Sequence, residues 1–152
     1  MAAYYIDASA LVKRYVREEP GSAIINAILD DAPINTVHMA AIGETEVVAA
    51  ISRRGRSGLG LTVEAEATLA WCAREAASRW VTVEITATLI RRANVLARRH
   101  FLRGYDAVHL AAALTTARVL QDRDMSLTFV CSDARLNGAA NAEGLDVFDP
   151  TS

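Results

Sequence analysis

Arg103-Gly104-Tyr105-Asp106-Ala107-Val108-His109-Leu110-Ala111-Ala112-Ala113 sets one carboxylate and one imidazole at the head of an apolar stretch. From there to Leu120 the polar interruptions are Thr115, Thr116 and Arg118. The stretch is short of the roughly 20 uninterrupted apolar residues a membrane span needs, so it reads as a core helix from Tyr105 to about Gln121. Asp106 falls in its first turn, where the helix dipole favours a carboxylate. A helix this apolar needs other elements to cover it, and the flanking sequence supplies them.

On the N-terminal side, Tyr4-Tyr5-Ile6 is a short apolar strand, followed at once by a helix from Ala8 to about Glu19. Pro20-Gly21 breaks that helix, and a second runs from about Ser22 to Asp31. Thr36 to Met39 reads as a strand feeding a helix from Ala40 to Arg54, and Gly55, Gly58 and Gly60 mark a loop. Thr62 caps a long helix to about Ser78, with Glu64 and Glu66 near its start. Val81 to Val83 is a β-branched strand, and Thr86 to His100 a helix lined on one side by Leu89, Ala93 and Leu96. Beyond the central run come a strand (Leu127 to Cys131), a helix (Ala134 to Ala142) and a last strand (Asp146 to Phe148). Short apolar strands alternating with helices predict a three-layer α/β/α fold. Its short five-stranded, mainly parallel sheet would be flanked by about seven helices, in one domain covering residues 1–152.

At 52% hydrophobic and 22% charged residues, the 152-residue chain has the makeup of a globular domain with a sizeable core. No basic, apolar and cleavable leader is evident, and Cys72 and Cys131 lack metal-type spacing, so both read as reduced core thiols. The expected compartment is the cytoplasm, with no membrane contact. A formal charge of −2 hides an uneven distribution: Ile85 to Arg103 holds Arg91, Arg92, Arg98, Arg99 and Arg103 and no acid. Arg53, Arg54 and Arg56 form a second cluster. A solvated helix face is the more ordinary account of any one of these arginines.

Four carboxylates sit in otherwise apolar settings: Asp7 at a strand end, Glu46 inside a helix, Asp106, and Asp133 after Phe129-Val130-Cys131-Ser132. Each has an ordinary alternative. Asp7 and Asp133 could cap the helices that follow them. Asp106 could be a plain first-turn acid, and Glu44 competes with Glu46 for the same apolar stretch. In parallel sheets, however, ligands bind beyond the strand C-terminal ends, where Asp7 and Asp133 fall. Two unit charges about 4 Å apart repel by roughly 4 kcal/mol at an effective dielectric near 20, so such acids protonate or recruit a cation. Hard oxygen donors suit Mg²⁺ or Mn²⁺.

The ordered set Tyr5-Ile6-Asp7-Ala8-Ser9-Ala10-Leu11, Glu46-Val47-Val48-Ala49-Ala50, Gly104-Tyr105-Asp106-Ala107-Val108-His109-Leu110-Ala111 and Ser132-Asp133-Ala134-Arg135-Leu136 resembles the PIN-domain ribonucleases of the VapC toxin type. The ending Ala142-Glu143-Gly144-Leu145-Asp146-Val147 also fits, so the resemblance spans essentially the whole chain. It implies that Asp7, Glu46, Asp106 and Asp133 are the catalytic acids. Asp7, Asp106 and Asp133 would mainly hold Mg²⁺ or Mn²⁺, with Glu46 ligating directly or orienting water. Ser9 and Asn137 would line the pocket. One departure is Cys131, where the family often has Thr or Ser, which puts a pocket hydrogen bond in doubt. His109 is expected to pack rather than react, and His38 and His100 have no evident partner in sequence.

The implied activity is metal-assisted hydrolysis of RNA phosphodiesters by the toxin of a toxin–antitoxin pair. Its partners would be RNA, a small VapB-like antitoxin and a second copy of the chain. The apolar helices over 40–51 and 65–77 offer surface for either protein contact. RNA would be held through its phosphates, with Arg92, Arg99 and Arg103 as a candidate track. Competing readings are a PIN nuclease of housekeeping RNA processing and a non-catalytic module. A phospho-receiver would need a lysine late in the sheet, and the sole lysine here is Lys13, in the first helix.

Overall fold

A computed structural model describes residues 2–16, 19–31 and 34–152. In chain order the elements are β1 (Ala2–Ile6), α1 (Ala8–Tyr15), α2 (Ser22–Asp30), β2 (Asn35–Ala40), α3 (Ala41–Arg54), β3 (Arg56–Ser57) and β4 (Gly60–Leu61). They continue with α4 (Val63–Ser78), β5 (Trp80–Val83), α5 (Ala87–His100), α6 (Gly104–Gln121), β6 (Leu127–Val130), α7 (Ala134–Ala142) and β7 (Asp146–Phe148). The five expected strands form one sheet in the order β5-β2-β1-β6-β7, with every pairing parallel.

Strand alternation sorts the side chains into two cores. Ala3, Tyr5, Leu127 and Phe129 face α5, α6 and α7, and the Tyr5 and Phe129 rings stack at 5.6 Å. Ile6, Val37, Met39, Val130 and Trp80 face α1 to α4. With helices on both faces, neither side of the sheet can be polar, which is why the strands read as continuous apolar runs. The central run behaves as its composition demands: every residue of α6 from Ala107 to Ala113 is buried.

Two boundaries differ from expectation. Helix α1 stops at Tyr15 because Val16 adopts extended backbone, and Arg17 and Glu18, in the expected continuation to Glu19, lie outside the described residues. The glycine-marked segment is a hairpin, not an irregular loop: β3 and β4 pair antiparallel around Gly58-Leu59. Gly58, at φ 59°, takes the first turn position, where a type II′ hairpin requires glycine.

The face away from α6 contains a buried ion pair. Arg14 on α1 donates from Nε and Nη2 to the two carboxylate oxygens of Glu75 on α4, at 2.6 and 2.7 Å. Tyr15 adds a 3.0 Å bond to the same carboxylate, and the guanidinium lies 5.2 Å from the Trp71 ring centre. Among the described residues, no helix is long and apolar enough to cross a membrane.

From β1 the chain builds outward through β2 to β5 on one side, while β6 and β7 lie on the other. The topology therefore reverses between β1 and β6, and the crevice beyond their C-terminal ends is where an open α/β sheet receives ligands.

Candidate active site

Ile6 pairs with Val130 in register, and the Asp7 N–H donates to the Val130 carbonyl at 3.2 Å. The ends of β1 and β6 therefore lie side by side, with Asp7 next to Cys131. Asp7 takes the capping role its sequence position allowed. Its Oδ1 accepts from the Ala10 N–H at 3.1 Å, capping α1, and the residue is only 4% exposed. The Ser9 hydroxyl bridges both carboxylate oxygens, at 2.8 and 2.9 Å. Burial pushes the Asp7 carboxyl above its usual value, opposed by the neighbouring His109 and by bonds from Ser9, Cys131 and Ala10.

The thiol of Cys131 makes the bond its identity put in doubt, donating to Asp7 Oδ2 at 3.2 Å. Burial, and then the Asp7 charge, raise the thiol far above its usual value and keep it protonated as a donor. Its sulfur also accepts from the Asp133 N–H at 3.3 Å, and the Asn137 amide donates to the Cys131 carbonyl at 2.8 Å. Asn137 thus holds the end of β6 rather than reaching into the crevice by that nitrogen.

Asp133 caps α7, accepting from the Leu136 N–H at 2.9 Å, and is exposed. Asp106, half-buried in the first turn of α6, makes no hydrogen bond or ion pair among the described residues. Its carboxyl is raised first by burial, then by the charges of Asp133 and Asp7, while His109 and Arg103 oppose the rise. The three aspartates therefore share one electrostatic neighbourhood. No group of three or more His, Cys, Asp or Glu side chains among the described residues is gathered tightly enough to grip an ion unaided. The donor set suits a hard cation that keeps several of its waters, which two or three carboxylates can hold. It does not suit a cation needing a closed protein cage.

Glu46 enters from α3 on another wall. His109 lies 2.5 Å from Glu46 Oε1 through Nε2, and 2.7 Å from the Tyr5 hydroxyl through Nδ1. The same hydroxyl accepts from the Ala40 N–H at 3.1 Å. Burial raises the Tyr5 phenol well above its usual value, and the charges of Asp7 and Glu46 add to the rise. Glu44 is exposed and bears instead on Cys72, whose thiol burial pushes to about 11.

The three arginines of the candidate track are placed differently from one another. Arg99 pairs with Glu143 at 2.6 Å, and Arg92 donates to Thr115 Oγ1 at 3.3 Å. Arg103 makes no ion pair among the described residues and stands at the head of α6. His100 does have a partner, Glu143, at 2.7 Å, which lies too far along the chain for spacing to reveal. Tyr5 was legible only as a strand residue. A phenol on the buried face of a strand generally needs a hydrogen-bond partner, and that was the available signal.

Residues 4–128 match the family model of the PIN domain. The ribonuclease VapC45 of Mycobacterium tuberculosis is 38% identical, over 97% of this chain and 95% of its own. Among solved structures, VapC20 of Mycobacterium tuberculosis, described as a sarcin-ricin loop cleaving toxin, superposes with a TM-score of 0.63. That pair shares 16% identity over 93% of this chain and 95% of the other. VapBC2 of Rickettsia felis, solved with a fragment of its promoter DNA, gives 0.61 at 14% identity, over 97% and 98%. With the family model spanning most of the sequence and a 38% identical ribonuclease matching it nearly end to end, the chain belongs to the PIN-domain family, in its VapC group.

Proposed function

We propose that this protein is a Mg²⁺- or Mn²⁺-dependent endoribonuclease and the toxin of a VapBC-like toxin–antitoxin pair. The observation that carries the proposal is the bearing of Asp133 and Asp7 on Asp106, whose carboxyl both raise after burial, at the point where the sheet topology reverses. A half-buried acid raised by two neighbouring carboxylates favours a cation beside it. VapC45, a ribonuclease matched along nearly the full chain, supports the reaction class. The VapBC2 structure supports a small antitoxin as partner, and by the same analogy a homodimer and a cytoplasmic setting are proposed.

Asp7, Asp106 and Asp133 would hold the ion. When bound, it supplies Lewis-acid polarisation of the phosphodiester and eases loss of a proton from water beside it. Asp7 contributes a carboxylate oriented on both oxygens by Ser9 and on Oδ2 by Cys131, so little reorganisation is needed when substrate arrives. Asp106 contributes one that the fold leaves uncommitted. Glu46 is fixed through Oε1 by His109, and its Oε2 has no hydrogen-bond partner among the described residues, so it can accept the proton of the attacking water. Water adds to phosphorus, the bond to the 3′ oxygen breaks, and the chain itself forms no covalent intermediate.

The test is cleavage of a labelled RNA pool with Mg²⁺, with Mn²⁺ and with EDTA, by the wild type and by Asp7→Asn and Asp106→Asn. Asparagine keeps the cap on α1 while removing the charge. Loss of cleavage in both variants and with EDTA is expected. Cleavage that survives all three sinks the proposal.

A further inference from the structure

The sequence shows no aromatic-rich RNA-binding motif, yet the turn leading into Asp106 exposes two large aromatic rings. Phe101 is 82% exposed and Tyr105 61%, while Leu102 between them is buried and anchors the turn. Phe101 closes α5 in left-handed backbone, φ 54° and ψ 41°. Glycine is the usual occupant of that position, and a bulky residue there is strained. The strain is not offset by burying the ring. Such an outlier beside a reactive group points to use of the side chain outside the fold.

Beside this turn lies a hollow of about 380 Å³ between α5 and the start of α6. Ile90, Ala93, Ala97, Ala107 and Val108 give it an apolar floor of mostly small side chains, and Asn94, Arg103 and Tyr105 bring an amide, a guanidinium and a phenol to it. The volume is at the lower end for small-molecule sites. Apolar faces with a few polar groups suit a flat heterocycle, and Arg103 adds positive charge for the adjoining phosphate. Asp106 follows Tyr105 directly in the chain, so a base held here leaves its phosphate close to the acidic crevice.

We propose that this hollow, with Tyr105 lining it and Phe101 in the same turn, is a nucleobase-stacking subsite for single-stranded RNA. The inference rests on the nuclease reading and adds to it the residues that grip a base. Tyr105→Ala and Phe101→Gly are each expected to raise KM for a labelled single-stranded oligoribonucleotide by roughly 5- to 100-fold, the range of one lost base stack, with the loss falling in KM rather than kcat. Tyr105→Trp should restore KM.

Phe101→Gly separates stacking from a structural role. Relief of the left-handed strain raises Tm, while loss of the ring weakens RNA binding. Unchanged KM in both variants, or a KM that rises only where Tm falls, overturns the subsite. If the wild type cleaves no RNA, the nuclease reading fails by itself, and fluorescence anisotropy with the same oligoribonucleotide decides the subsite. Affinity lost in both variants upholds it, and affinity unchanged in both removes it.

Discussion

Tyr5 determines which nitrogen of His109 carries the proton. The Tyr5 oxygen accepts from the Ala40 N–H at 3.1 Å, so its own hydrogen is free to point at His109 Nδ1, 2.7 Å away. With Nδ1 accepting, the neutral ring carries its hydrogen on Nε2 and donates it to Glu46 Oε1 at 2.5 Å. The backbone of β2 thus orients a carboxylate on α3 through two side chains from β1 and α6.

Tyr5→Phe removes the middle of that chain, leaving the Ala40 N–H and His109 Nδ1 unpaired in the core. A loss of about 1–3 kcal/mol in unfolding free energy is expected, the usual penalty for an orphaned buried polar group, measured by urea titration. Glu46→Gln keeps an oxygen to accept from Nε2 and should stay within about 1 kcal/mol of the wild type. If Glu46 takes the proton of the attacking water, that same variant loses cleavage by roughly 10²- to 10⁴-fold. A Glu46→Gln protein that cleaves at the wild-type rate removes the base role.

Asp106 ties stability to pH. Its folded-state pKa lies above the ordinary 3.8, chiefly because burial disfavours the charge, then because Asp133 and Asp7 repel it. A raised carboxyl binds its proton more tightly when folded, so the metal-free protein loses stability as pH rises from the unfolded value through the folded one. Above the folded value the loss is complete; below about pH 4 it is absent. Asp106→Asn should therefore melt higher than the metal-free wild type at pH 7, by on the order of 2–4 °C for each kcal/mol relieved. The two curves should converge as pH falls toward 4. Mg²⁺ or Mn²⁺ should raise the wild-type Tm at pH 7 and the variant's less. Equal melting points at pH 7, with and without cation, would contradict the electrostatic account.

Cys131 offers a finer probe of the same site. Its thiol hydrogen bonds Asp7 and its sulfur receives the Asp133 N–H, so one side chain ties the two strand-end acids together. Cys131→Ser preserves both roles and should retain cleavage within a few-fold. Cys131→Ala leaves a donor-poor Asp7 and an unpaired N–H, costing about 1–2 kcal/mol of stability and lowering cleavage with it. Similar cleavage by the serine and alanine variants would show that the contact contributes nothing to function.

Elements with their own periodicity or caps were legible in sequence. The five sheet strands and α3 to α7 lie within a residue or two of their expected limits, because β-branched runs and Thr62, Thr86 and Asp133 mark their ends. The three aspartates were legible because two lie at strand ends and one opens the central helix, positions that topology brings to one edge. Contacts across long separations were not. The bond between Glu46 and His109 spans 63 residues, that between Tyr5 and His109 spans 104, and neither leaves a local pattern. The β3–β4 hairpin was missed because two-residue strands are too short to show alternation.

The Arg14–Glu75 pair tests how far stability is separable from the crevice. Both side chains are nearly inaccessible, at 5% and 6%, and the pair lies in the layer opposite α6. Glu75→Ala would strand a guanidinium whose remaining hydrogen-bond partners among the described residues are Asn26 and Asp30, and would take the acceptor from the Tyr15 hydroxyl. Breaking a buried pair from one side commonly costs about 3–5 kcal/mol, because the remaining charge stays desolvated. For a chain of this size that lowers Tm by roughly 10 °C or more. Replacing both partners by apolar residues, Arg14→Met with Glu75→Leu, removes the stranded charge and should recover much of the loss. Since neither residue makes a hydrogen bond or ion pair to Asp7, Glu46, Asp106 or Asp133 among the described residues, the double variant should cleave RNA at the wild-type rate below its melting point. A double variant less stable than Glu75→Ala alone would mean that the bonds to Asn26 and Asp30 matter more than the ion pair.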